Sequence, residues 1–224
     1  MLMERAKQTS ESIELGVLLA LVGGFMDAYS FIGRGEVFSN AQTGNILLTA
    51  VHLSQGDFMA MFRYMFPVVA FALGIMLSDF IHARLSSRLH WRQTALLFEI
   101  AVMAAVGTMT SEQNIPANCL LSLACGTQVE TFRKIHGKGI ATTMCIGNLR
   151  SALHNVDDYI INHNRGFLRA GVMYFGAIGC FMVGAVGGNW FIERAGLHAI
   201  WACIPLLAAA FLIMFSDREH PAER

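Results

Sequence analysis

The sequence predicts an all-α integral membrane protein that contains an internal repeat. Of its 224 residues, 54% are hydrophobic and only 14% are charged, which is too apolar a balance for a typical soluble domain. Several apolar stretches reach the roughly 20 residues that a helix needs to cross a bilayer. A Gly-Asn pair that follows an acidic residue occurs twice, at Gly44-Asn45 and, 103 residues later, at Gly147-Asn148. We therefore expect six spanning helices and two short helices, arranged as two similar halves.

The first half, residues 13–111, is predicted to contain three spans and one short helix. The first span is apolar except at Gly23-Gly24 and Asp27. The apolar run that begins at Ala41 ends after about a dozen residues, so it is expected to form a re-entrant or half-length helix. A polar segment precedes this half. The boundaries are 1–12 for that segment, 13–33 for the first span, 41–53 for the short helix, and 58–82 and 94–110 for the remaining spans.

The second half, residues 112–215, repeats the same order of elements. Pro116 opens a span that carries Glu130 near its end, and a second short segment surrounds Gly147-Asn148. A polar connection and two more spans follow. The predicted boundaries are 116–132, 139–154, 167–191 and 197–215, with a cytoplasmic tail at 216–224.

The distribution of Lys and Arg favours six crossings over eight. If both short segments return to the side from which they enter, the basic loops at 84–92 and 133–138 and both termini lie in the cytoplasm, as the positive-inside rule requires. The two halves are then inverted, and the short segments meet near the middle of the membrane. The alternative is seven or eight spans with a parallel duplication, and it stays open at this point.

Two carboxylates lie within the predicted spans, Asp27 in the first half and Glu130 in the second. Because a buried carboxylate is costly in a membrane, each is a candidate for proton coupling or cation coordination. The alternative is a structural ion pair, since Arg34 follows Asp27 by two turns and Arg133 follows Glu130 by one.

The residues of the two short segments are candidates for solute binding. Gly44 and Gly147 permit a break in the helix, and Asn45 and Asn148 offer both a donor and an acceptor. The alternative is that the asparagines only cap the short helices. Arg150 has no polar counterpart in the first half and could bind an anion or extend to the membrane surface. The full predicted set is Asp27, Gln42, Thr43, Gly44, Asn45, Gln128, Glu130, Gly147, Asn148 and Arg150.

Other site classes find little support. His154, Asp157, Asp158 and His163 have helical spacing that a metal could use, but a polar cytoplasmic connection explains them better. No common enzyme signature is present, so we expect no catalytic residues, no metal and no cofactor. With a formal net charge of zero, the chain shows no sign of nucleic-acid binding.

The run Gly23-Gly24-Phe25-Met26-Asp27-Ala28-Tyr29-Ser30-Phe31, followed by Phe38 and by Gln42-Thr43-Gly44-Asn45, resembles the signature of the YoaK family. The resemblance extends over nearly the whole chain. It implies a polytopic protein of the bacterial inner membrane, and it carries no activity with it.

The function that these observations favour is a transporter or channel for a small polar solute or ion, with or without proton coupling. A membrane scaffold or assembly protein is the alternative, and an intramembrane enzyme that uses two carboxylates is a weaker one. The expected partners are the lipid bilayer and the solute. A homo-oligomer is also open, because the glycine-rich span at 167–191 suits close helix packing.

Overall fold

The computed structural model describes residues 12–84, 91–135 and 137–215. Within these residues the ordered elements are helices, apart from an isolated antiparallel bridge between Ile135 and Lys138. The all-α prediction is therefore confirmed. The predicted N-terminal segment up to residue 11, residues 85–90 of the predicted basic loop at 84–92, and the C-terminal tail lie outside the described residues.

The helices follow the predicted order. A π-helical turn, Tyr29–Gly33, continues α1, and short 3-10 segments, Ser111–Gln113 and Gly196–Ala202, precede α5 and α8. The helices are α1 Ile13–Ala28, α2 Gln42–Ser54, α3 Phe58–Arg84, α4 Trp91–Val106, α5 Asn114–Thr131, α6 Cys145–Asn162, α7 Arg165–Ala195 and α8 Cys203–Phe215.

Three stretches of the described chain are long and apolar enough to cross a membrane. They are Ile13–Gly33, Phe58–Arg84 and Arg165–Met214, the last of which contains α7 and all but the final residue of α8. The second stretch contains Pro67, and α3 nevertheless continues through it as one helix. A proline removes one backbone donor, so the freed carbonyl is the local cost of this arrangement.

Helix α6 is longer than the sequence analysis predicted. The expected polar connection from residue 155 onwards is helical as far as Asn162. Within it, Asn155 donates to the Ser151 carbonyl oxygen at 2.8 Å, and His154 lies 3.6 Å from Asp158. These contacts between residues four apart support the helix, which ends where His163 adopts a left-handed conformation with φ of 51°.

The first and seventh helices pack closely and run in the same direction. A side chain at Gly24 would collide with the Phe181 backbone, and one at Gly184 would collide with the Leu21 backbone. Further along both helices, Gly188 lies against Phe25. Because later residues of α1 meet later residues of α7, the two helices are parallel, and their glycines allow the backbones to approach.

Helices α3 and α5 form a second parallel pair. Gly74 lies against the Leu123 backbone, and Gly126 lies against the Phe71 backbone. Closer to the C-terminal ends, the hydroxyls of Ser78 and Thr131 are 2.9 Å apart. The direction of α3 therefore follows that of α5.

Arg34 shows which helix ends lie together. This fully buried guanidinium donates to the carbonyl oxygens of Val106 at 2.8 Å and Thr110 at 2.9 Å, and to Asn114 Oδ1 at 3.3 Å. The end of α1 thus lies beside the end of α4 and the start of α5. The Tyr29 hydroxyl donates to the Leu197 carbonyl oxygen, so the connection from α7 to α8 lies at this end as well.

Each short helix therefore joins two helix ends on one side of the bundle. Helix α3 is parallel to α5 and begins at the Arg34 end, where α1 finishes, so the segment that contains α2 starts and returns at that end. At the opposite end, α6 lies between the end of α5 and the start of α7. Apolar side chains from α1, α4, α5 and α8 form the main core.

Candidate functional site

The N-terminal ends of α2 and α6 meet at one cavity of about 550 Å³ beside α1. Asp27 from α1 lies at this cavity, together with residues from the first turn of each short helix and Phe181 from α7. Much of the wall is apolar. The lining residues that bear polar groups are Asp27, Asn40, Gln42, Thr43, Thr143 and Cys145.

Asp27 holds the connection that leads into α2. Its Oδ1 accepts from the Asn40 backbone N–H at 2.7 Å and from the Ser39 hydroxyl at 3.1 Å, and its side chain is almost fully buried. Asn40 Nδ2 donates in turn to the Gly23 carbonyl oxygen at 2.9 Å. These bonds bring residues 39 and 40 back alongside the C-terminal half of α1.

The π-helical turn completes the same network. Ser30 donates to the Asp27 carbonyl oxygen at 3.2 Å and accepts from the Ser39 backbone N–H at 3.1 Å. A π-helical turn changes the direction of side chains along a helix, and such turns are frequent at functional sites.

Asn45 and Asn148 make the same contact in the two halves. Asn45 Oδ1 accepts from the Phe38 backbone N–H at 3.1 Å, and its Nδ2 donates to the Phe38 carbonyl oxygen at 2.7 Å. Asn148 forms the same pair of bonds with Ala141, at 3.2 and 2.6 Å. Both asparagines are buried and bind the residue seven positions before them, so each amide is committed to the backbone of its own connection.

The paired hydrogen bonds between each asparagine and the backbone seven residues before it form a clamp. The remaining predicted residues of the first short helix surround the Asn45 clamp. Gln42 accepts from Asn45 Nδ2 at 2.8 Å and donates to the Ser39 carbonyl oxygen at 2.8 Å. Thr43 lies at the cavity, and Gly44 leaves room for the Phe38 ring.

The second connection reaches the cavity along α1 and α5. Gln128 is fully buried, and its Nε2 donates to Thr142 Oγ1 at 3.1 Å and to the Leu19 carbonyl oxygen at 3.3 Å. An added Cβ at Gly23 would lie 3.0 Å from the Thr143 methyl group. Gly23 therefore contacts both connections, because Asn40 binds its carbonyl oxygen.

Two buried polar atoms at the cavity have no hydrogen-bond partner in the described part of the chain. They are Asn40 Oδ1 and Thr143 Oγ1. Because Asn40 Nδ2 binds Gly23, the amide oxygen is the atom that remains available. The sequence analysis did not select either residue, although they are separated by the same 103 residues as the two Gly-Asn pairs.

Seven of the ten predicted residues are not among those that line the cavity: Gly44, Asn45, Gln128, Glu130, Gly147, Asn148 and Arg150. Glu130 pairs with Arg133 at 3.2 Å, and the Arg133 side chain is 70% exposed. Arg150 is exposed, and Gly147 has open space around its Cα. The structure thus brings Asp27 to the cavity but not Glu130.

Electrostatically, the cavity combines two helix N-termini with one carboxylate. Each N-terminus carries a partial positive charge, and Asp27 supplies the formal negative charge among the lining residues. Since the Asp27 carboxylate already accepts backbone and hydroxyl donors before α2, it offsets the positive end of that helix.

Comparison with known proteins places this chain in a family. Residues 15–213 match the family described as "Protein of unknown function (DUF1275)". The chain belongs to this family. It is also 24% identical over 178 residues to the UPF0700 transmembrane protein YoaK of Bacillus subtilis (strain 168), an alignment that covers 75% of this chain and 79% of that protein. No solved structure matches the chain. The resemblance to the YoaK family is confirmed, and this chain is a membrane protein.

Proposed function

We propose that this protein is a transporter or channel for a small polar solute or ion, and that the cavity at Asp27 is its binding site. The observation that carries the proposal is the meeting of two short helices, N-terminus first, at one cavity that contains a buried carboxylate. Irregular backbone within a membrane is tolerated where it is buried or lines an aqueous cavity. Interrupted helices whose ends face a central site are a recurring feature of transporters.

The proposed membrane topology has six crossings, with both termini in the cytoplasm of a bacterial inner-membrane protein. Its support is that α2 returns the chain to the Arg34 end and α6 returns it to the opposite end. Eight crossings would require each short helix to carry the chain from one end of the bundle to the other. The Lys/Arg distribution favours the same topology.

An inverted repeat accounts for the matched contacts of the two halves. The approach of Gly24 to Phe181 has its counterpart in the approach of Gly126 to Phe71. The long helices α1 and α3 of the first half thus pack against α7 and α5 of the second half. On this matching, the counterpart of Asp27 is Val129 rather than Glu130, which fits the single carboxylate at the cavity.

The available groups favour a solute that donates hydrogen bonds. Asp27 and Asn40 Oδ1 are acceptors, and Thr143 Oγ1 can accept or donate. A small cation such as an ammonium or alkylammonium ion matches this set better than an anion. The apolar part of the wall suits an alkyl group.

We propose transport in preference to the two alternatives. An enzyme with two acidic groups needs both carboxylates in one pocket, whereas Glu130 pairs with Arg133 outside the cavity lining. A scaffold accounts for the Asn45 and Asn148 clamps, but it gives no reason for buried, unpartnered polar atoms on two residues that line a cavity.

The test is uptake of radiolabelled methylammonium, rubidium and glycerol by proteoliposomes that contain the purified protein. We expect uptake of at least one cationic probe above that of empty liposomes, and we expect Asp27→Asn to abolish it. Glu130→Gln is the matched control, because it removes a carboxylate outside the cavity and should leave uptake unchanged.

A scaffold would give a different pattern. None of the probes would then enter faster than in empty liposomes, and Asp27→Asn would lower only the yield of folded protein. Loss of uptake in Glu130→Gln, with uptake retained in Asp27→Asn, would place the site elsewhere in the protein.

A further inference from the structure

Glu99 is a buried acidic residue that does not line the cavity. It lies on α4, its side chain is 0% exposed, and neither carboxyl oxygen has a hydrogen-bond partner in the described part of the chain. Leu96 and Met103, which share its helix face, are fully buried as well. Glu99 therefore points into the apolar core and not toward lipid headgroups or water.

A carboxylate in this position would be an uncompensated charge. Helix α4 packs against α5, α8, α3 and the 3-10 segment before α8. The titratable groups that face Glu99 from these elements are the thiols of Cys125 on α5 and Cys203 on α8, and none of the described charged side chains offsets its charge. Ionised, unpaired groups are strongly disfavoured in such surroundings, and a carboxyl group avoids the cost by holding its proton.

Cys125, Ser39 and Asp27 are the polar side chains that could connect Glu99 with the cavity. Cys125 on α5 belongs to the same buried cluster as Leu96 and Met103, the neighbours of Glu99 on α4, and its thiol interacts electrostatically with Glu99 and Asp27. The Ser39 hydroxyl donates to Asp27 Oδ1 at 3.1 Å, and Asp27 lines the cavity. Ser39 and Cys125 are themselves fully buried.

We propose that Glu99 is a proton-binding site of the bundle, and that it exchanges its proton with the cavity through Cys125, Ser39 and Asp27. In the release step the O–H bond of Glu99 breaks, and Asp27 gains a proton at its carboxylate. No electrons are transferred, and the reverse step restores the acid. Proton binding by Glu99 stands by itself, whereas its use as the coupling group rests on the proposed transport function.

Infrared spectroscopy of the full-length protein in lipid tests the proton site without any solute. At neutral pH we expect a carbonyl stretch of a protonated carboxylic acid that is lost in Glu99→Gln and retained in Asp27→Asn. If Glu99→Gln does not fold, Glu99→Asp serves instead, because it keeps the acid and should move the band. A band that survives Glu99→Gln, or that disappears only in Asp27→Asn, would overturn the proposal.

Transfer into D₂O tests the path, because the band shifts when the proton is replaced. We expect Ser39→Ala and Cys125→Ala to keep the band but to slow its shift by roughly tenfold or more, as a higher barrier to transfer requires. Cys119→Ala is the matched control, since it removes a less buried thiol from the same helix. An unchanged rate in both path variants would overturn the path. Absence of solute uptake would remove the transport function and leave the band in place, so the two failures are separable.

Discussion

The connections that lead into α2 and α6 reach the same cavity, but they are held in different ways. Before α2, Asp27 and Ser30 accept hydrogen bonds from the returning chain, and Asn40 of that chain donates to the Gly23 carbonyl oxygen on α1. Asn45 and Gln42 bind the same connection from α2. Before α6, the side-chain bonds in the described residues come from Asn148 and Gln128. The comparison indicates that the first connection is a fixed wall of the cavity. We expect any movement that opens or closes the cavity to occur in the second.

Loss of Asp27 should produce the largest effect. Asp27→Ala leaves the Asn40 N–H and the Ser39 hydroxyl without an acceptor in a buried site, and each such loss costs about 1–3 kcal/mol. We expect the free energy of unfolding in detergent to fall by about 2–4 kcal/mol. Asp27→Asn keeps an acceptor and should lose less than half as much. Equal losses in the two variants would mean that the hydrogen bonds do not hold the connection.

The two asparagine clamps should differ by a smaller amount. Asn45→Ala removes the bonds to Phe38 and also the bond to Gln42, whereas Asn148→Ala removes only the bonds to Ala141 that the structure gives it. With about 1 kcal/mol for a hydrogen bond, the free energy of unfolding should fall further in Asn45→Ala by about that amount. Denaturation of both variants in the same detergent measures the difference. A larger loss in Asn148→Ala would mean that the connection before α6, and not the one before α2, is the fixed wall of the cavity.

Glu130 should produce the smallest effect. Its partner Arg133 is mostly exposed, and exposed ion pairs contribute about 0–1 kcal/mol. Glu130→Gln should therefore change the free energy of unfolding by less than about 0.5 kcal/mol. A loss as large as that of Asp27→Ala would show that Glu130 has a structural role equal to that of its sequence counterpart.

The sequence predicted the helices, including the two short ones that contain the Gly-Asn pairs, because those features depend on local pattern and on length. It offered Arg34 as an ion-pair partner of Asp27, whereas the guanidinium is fully buried and binds residues of the α4–α5 connection. That contact joins residues far apart in the chain, so no local sequence pattern predicts it. Asp27 was recognisable as an acid in a span. The unpartnered oxygen atoms of Asn40 and Thr143 were not, because they depend on which hydrogen bonds the folded chain makes.

The extension of α6 had a different cause. The residues after His154 are mostly polar, and polarity was taken as a sign of a connection. In the structure their side chains lie on a helix with an exposed surface, so polarity there reflects contact with water and not the absence of a helix.

The packing of α1 against α7 has a consequence for how the protein is made. The Phe181 backbone occupies the space that a side chain at Gly24 would need. Phe181 leaves the ribosome only after most of the chain has been synthesised. Helix α1 must therefore remain in the bilayer with Gly24 uncovered until α7 has been synthesised, since α7 belongs to the second half. A nascent chain that stops before α7 would leave Gly24 uncovered. Assembly of the bundle is thus a late event, and insertion of each helix into lipid precedes it.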